Sequence, residues 1–209
     1  MEINRHKVFI SYYHDDDQYY KDTLIKMKYY NFKHSKYESI FEDCSVNDGD
    51  IDDNISAEQI RRRIRDEFIR DATVLILLCG EKTKYRKHID WEIHAAMYNS
   101  ELNPKMGIIV INLPTINQYI RAYDDDEKKV VSTGNNWISI SSRIELEKCY
   151  PYMPARIIDS FVKNVPITVV EWNTIADNPE KLLFLIDKAY KRKNTNEYDL
   201  SRPLRRNNN

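Results

Sequence analysis

Four short apolar runs punctuate the first half of the chain, and each is followed by a polar stretch with helical spacing. "KVFISY" reads as a first strand, and "HDDDQYYKDTLIKMKYYNF" after it as a helix whose Asp cluster serves as cap and dipole partner. "YESIFED" reads as a second strand, and "CSVNDGDIDDN" as a turn-rich acidic loop. "SAEQIRRRIRDEFIRDA" places Ile60, Ile64 and Phe68 on one helical stripe. "TVLILLCG" is apolar at nearly every position, as expected of a parallel strand covered on both faces. "KYRKHIDWEIHAAM" then repeats Ile89, Ile93, Ala96 and Met97 at helical spacing, and "MGIIVINLP" is a fourth strand. This alternation predicts a doubly wound α/β domain with a parallel sheet of about five strands flanked by helices.

The second half is less regular. "DDDEKK" and "STGNN" read as solvated loop, and "NNWISISS" as an added short strand or an irregular segment. "ARIIDSFVK" reads as a short helix after "PYMP". Residues 115–165 are therefore expected to form an insertion before the last strand, "PITVVEW". "NPEKLLFLIDKAYKRK" is the last helix, with Pro179 near its start and basic residues at its end. The domain is expected over 1–193, and the polar stretch 194–209 as a mobile tail.

Composition narrows the function classes. The 209 residues suit one α/β domain, and a formal net charge of -1 gives no global argument for nucleic acid or membrane. Only 4 glycines occur, with neither GxGxxG nor GxxxxGK[ST], so a phosphate cradle of either kind is not available. The 3 cysteines have no CxxC spacing, which points to a reducing compartment. With no apolar leader and no run of membrane-spanning length, a cytoplasmic location is expected. The basic stretch "RRRIR" alternates with Ile and acidic residues and reads as a solvated helix face.

Glu92 lies beside the core face of its helix. It would point to the strand ends, where open α/β sheets bind ligands. The alternative is a partly solvated carboxylate at a helix edge. The other strand-end candidates are Ser11, Tyr12 and His14 after the first strand, Asp43 and Ser45 after the second, and Cys79 and Gly80 after the third. Loop capping is the competing role for Ser11 and Asp43, and core packing for Tyr12. His88 stands one turn before Glu92 on the same face. His88, Glu92 and His94 do not make a metal motif, and no metal is expected.

"HKVFISYYHDD", "IFEDCSVNDGDI" and "ATVLILLCGEKTKYRKHIDWEIHAAM", in that order, resemble the TIR-like domains of Thoeris antiphage defence, the ThsB-like proteins. The resemblance covers roughly 5–112 and, more loosely, 153–192. It implies a flavodoxin-like fold and cleavage of the nicotinamide–ribose bond of NAD+, which is a substrate and not a cofactor. It places the catalytic glutamate at Glu92 and the other candidates around the NAD+ pocket. It further implies self-assembly through TIR–TIR contacts, a phage-derived trigger, and an ADP-ribose-derived signal (free ADP-ribose, a cyclic isomer or a conjugate) read by a separate effector. Many such enzymes carry Trp where this chain has His88, with Trp91 in a neighbouring position, so His88 either contacts the substrate in place of that Trp or pairs with Glu92. Two rivals stay open, a non-enzymatic TIR interaction module and a deoxyribosyltransferase-like enzyme acting on nucleosides. A response-regulator receiver is rejected, because the third strand ends in "LLCGEKT" without the Asp such domains phosphorylate.

Overall fold

The computed structural model describes residues 5–45, 59, 69–100, 104–132, 137 and 139–208. The expected acidic loop 47–53, most of the helix expected over 56–72, and the "STGNN" stretch after Ser132 lie outside these residues.

Five strands form one parallel sheet: β1 (Lys7–Ser11), β4 (Glu42–Asp43), β5 (Val74–Cys79), β6 (Gly107–Asn112) and β7 (Thr168–Glu171). Their spatial order is β4-β1-β5-β6-β7. Numbered within the sheet this is 2-1-3-4-5, the flavodoxin-like order, whose direction reverses between β1 and β5. The register pairs Ser11 with Leu77, Leu75 with Ile108, and Asn112 with Glu171.

The apolar runs read in the sequence become β5 and β6, both buried at every residue. Successive side chains leave opposite faces of a strand. Leu75, Leu77 and Cys79 therefore enter one core cluster, and Val74, Ile76 and Leu78 the other. The first cluster is closed by helices α2 (Lys87–Met97) and α5 (Ala155–Val162), the second by α1 (His14–Lys26) and α7 (Pro179–Arg192). Gly107 lets α7 lie against β6. A Cβ there would stand 2.2 Å from the Ala189 carbonyl oxygen.

Several elements differ from expectation. The first helix stops at Lys26, and 28–31 becomes strand β2 (Lys28–Asn31), paired antiparallel with β3 (Lys36–Ser39). Tyr29 is buried and Tyr30 exposed, a period of two that the paired aromatics conceal. The expected second strand thus divides, with 36–39 in the hairpin and 42–43 in the main sheet. The N-cap of α1 is Tyr13, without a side-chain cap bond. Asp15, Asp16 and Asp17 sit in the first turn, where they complement the dipole.

Within 115–165, the supposed loop "DDDEKK" holds α3 (Asp125–Val131). Asp124 caps it by accepting from the N–H groups of Asp126 (3.1 Å) and Glu127 (2.9 Å). A further helix, α4 (Arg143–Cys149), follows, and α6 (Trp172–Ile175) comes after β7. The described part of "NNWISISS" has no regular structure before α4.

Residues 194–208 fall in the stretch expected as a mobile tail. The chain beyond 193 lies against the domain through polar contacts, one of them buried at Tyr198. Tyr198 Oη donates to the Met106 carbonyl (2.7 Å), and Asn208 Oδ1 accepts from Lys87 N–H (2.8 Å) at the start of α2. No helix among the described residues is long and apolar enough to cross a membrane.

Candidate functional site

The second turn of α2 carries Glu92, with a relative exposure of only 7%. Ser11 ends β1 and is 1% exposed. Its Oγ donates to Glu92 Oε2 at 2.6 Å. The pair joins the end of β1 to the helix that follows β5, and so lies where the strand order reverses. This is the position at which open α/β sheets bind ligands. Burial pushes the Glu92 carboxyl up to about 7, opposed by the Ser11 hydrogen bond. A carboxyl poised near neutrality at such a position is a functional candidate.

The rest of α2 is fastened around Glu92. Asp90 receives the Arg156 guanidinium in a two-pronged bond, Nε to Oδ1 and Nη2 to Oδ2, both at 3.0 Å. Arg156 is fully buried and also donates to the carbonyls of Arg202 (3.0 Å) and Pro203 (3.2 Å). Arg205 N–H donates to Asp90 Oδ2 (3.0 Å), and the Trp91 indole N–H donates to the Arg205 carbonyl (2.8 Å). Both neighbours of Glu92 on its N-terminal side are thereby tied to the C-terminal segment.

The other sequence candidates disperse. Tyr12 belongs to the apolar cluster on the α1 side of the sheet. Its hydroxyl donates to Gln18 Oε1 (2.7 Å), and its ring stacks on His14 at 4.2 Å. Asp43 accepts from Ser45 N–H (3.0 Å) and from the Ser45 hydroxyl, while Ser45 Oγ accepts from Ile10 N–H (2.9 Å). These two residues form a turn that closes the edge of β1. Cys79 is fully buried between Gln118 Nε2 and the Tyr152 carbonyl, each 3.4 Å from sulfur. Burial pushes its thiol up to about 12, so it is inert as a nucleophile.

Gly80 makes room for a neighbouring side chain. A Cβ there would stand 3.0 Å from Asp17 Oδ1. Asp17, 3% exposed, is pushed up to about 6 by burial, although a bond from the Tyr13 backbone opposes the shift. It is a second buried carboxyl near the end of β5. The reading of 15–17 as a cap passed over it; the signal for it was a glycine immediately after an apolar strand.

The His88 ring lies tilted 5.1 Å from that of Trp91. Trp91 itself is 3% exposed and committed to Arg205, so it does not supply a free stacking face. Among the described residues, no group of three or more His, Cys, Asp or Glu could hold a metal ion.

A family model described as "Thoeris protein ThsB, TIR-like domain" matches residues 9–118. The matched span contains Ser11, Asp17, Gly80 and Glu92. No curated protein matches the chain.

Proposed function

We infer that this chain, which belongs to the TIR-like domain family of the Thoeris protein ThsB, cleaves the bond between nicotinamide and ribose in NAD+. Its setting is the antiphage defence in which that family acts. The observation that carries the reading is the Ser11–Glu92 pair, a buried carboxyl at the sheet's reversal point.

The chemistry asks little more of the protein than that carboxyl. Nicotinamide in NAD+ is already cationic, so it leaves with the electron pair of the C1′–N bond and needs no general acid. Positive charge develops at C1′ as in glycoside cleavage, and an ionised Glu92 stabilises it. In the resting protein Glu92 holds its proton up to about pH 7. A bound cationic ring favours the ionised form, because an opposite charge nearby lowers a carboxyl pKa. Ser11 then donates its hydrogen bond to the carboxylate and fixes its direction. Water attacking C1′ gives ADP-ribose, a nitrogen of the same molecule gives a cyclic isomer, and another acceptor gives a conjugate.

The product serves in this reading as a signal for a separate effector, and a phage-derived trigger with TIR–TIR assembly raises the activity. Mass spectrometry of products from purified protein offered NAD+ and, in parallel, nucleosides tests the proposal. Nicotinamide with an ADP-ribose-derived product supports it. Base exchange between nucleosides, with NAD+ intact, replaces it by a deoxyribosyltransferase-like activity. No turnover of either substrate under any condition of assembly or trigger replaces it by an interaction module.

A further inference from the structure

A cleft of about 800 Å³ opens at the ends of β6 and β7, well along the sheet from the β1–β5 reversal point. Its size is within the range of small-molecule sites. Arg121 lines it, held by an antiparallel bridge to β7 in which Arg121 N–H donates to the Val169 carbonyl and Val169 N–H to the Arg121 carbonyl, both at 2.9 Å.

The Arg121 guanidinium meets neutral groups. Nη2 donates to Asn164 Oδ1 at 3.0 Å, the Phe161 ring lies 4.8 Å below, and the Tyr150 hydroxyl is beside it. Asn164 holds a left-handed backbone, φ 55°, just past the end of α5, a conformation that Asn tolerates. Burial lowers the guanidinium from its ordinary value with no carboxylate to offset the loss of water. Among the described residues, Arg121 makes no ion pair with a carboxylate.

Glu171 lines the same cleft and accepts from Asn112 Nδ2 at 3.0 Å. Its carboxyl is raised by burial and is also without an ionic partner among the described residues. Two oppositely charged groups thus face one cleft without neutralising each other. At the rim stand Tyr119 and Tyr123, which are 53% and 50% exposed. A planar guanidinium suits phosphate, a strand-end carboxylate suits ribose hydroxyls, and exposed rings suit a base.

We propose that this cleft binds a nucleoside monophosphate, or a ligand bearing that unit, with the phosphate on Arg121, ribose hydroxyls on Glu171 and the base against Tyr119 or Tyr123.

Calorimetric titration of the full chain with AMP, adenosine and inorganic phosphate tests this, and it reads binding alone, whether or not the protein turns over NAD+. AMP is expected to bind more tightly than either fragment. Arg121→Gln should weaken AMP at least tenfold and leave adenosine unchanged, and Arg121→Lys should restore part of the loss. If Arg121→Gln fails to fold, Tyr119→Ala at the exposed rim should weaken AMP by roughly fivefold or more. Glu92→Gln should bind AMP as the wild type does. Absence of AMP binding at millimolar concentration overturns the proposal, as does phosphate binding as tightly as AMP. Loss of AMP binding in Glu92→Gln with retention in Arg121→Gln also overturns it.

Discussion

Glu92 destabilises the fold that holds it. Its carboxyl moves from the ordinary 4.5 to about 7 on folding, so the native state holds a proton that the unfolded chain releases. For an acid shifted in this direction, stability is highest below pH 4.5 and falls as pH rises toward 7. The full penalty above that is about 3 kcal/mol. Asp17, moved from 3.8 to about 6, adds a loss of the same sign over a lower window. Glu92→Gln is therefore expected to be more stable than wild type at pH 8, with the difference shrinking toward pH 4.5. Urea unfolding at the two pH values checks this. Equal stability at both would mean that the carboxyl is solvated. If Glu92 acts ionised, NAD+ turnover at low substrate should rise with pH about an apparent pKa near 7. Ser11→Ala removes the contact that favours the charged form, so it should move that limb to higher pH. A kinetic profile unchanged by Ser11→Ala would separate Ser11 from the reaction.

At the scale of elements, the buried ion pair beneath α2 is the clearest liability. Arg156→Leu leaves Asp90 buried without its guanidinium, with an expected loss of roughly 3–5 kcal/mol. The double substitution with Asp90→Leu should recover much of that loss, as a thermodynamic cycle from denaturant unfolding would show. Gly107→Ala forces a methyl against the α7 backbone at Ala189 and should lower stability by about 1–3 kcal/mol. Strands β5 and β6 were legible as continuous apolar runs, and helices α2, α5 and α7 because burial repeats along them. The β2–β3 hairpin was not, since Tyr29 and Tyr30 look alike in sequence while only one is buried. Helix α3 buries Glu127 and Val131 beneath a charged surface. Its D-x-x-E start, Asp124 to Glu127, is a capping signal that the acidic run disguised. Glu127 is satisfied locally by Tyr123 N–H and, from far along the chain, by Thr168 Oγ and Arg192, contacts that no local pattern announces.

At the scale of the molecule, the family match ends at residue 118, yet the helix carrying Glu92 is secured by residues beyond it. Arg156, Arg202, Pro203 and Arg205 all bond to or around Asp90, and Asn208 supplies an acceptor at the start of α2. These are backbone and guanidinium contacts, and a polar terminal stretch gives no periodic sign of them. The site was legible to a similar degree. That Glu92 and Ser11 lie at the strand ends was legible because strand ends and helix phase are periodic properties. Cys79 and Tyr12 enter opposite core clusters, a separation that follows from strand alternation carried past the strand end.

The central claim is that the Glu92 carboxylate carries the cleavage of NAD+, and nicotinamide release by folded wild-type and Glu92→Gln proteins tests it most directly. Both should be measured at pH 8 under the same condition of assembly or trigger that gives wild-type turnover. A Glu92→Gln protein that unfolds cooperatively and releases nicotinamide at least roughly a hundredfold more slowly is the predicted result. Equal release by the two folded proteins would contradict the account.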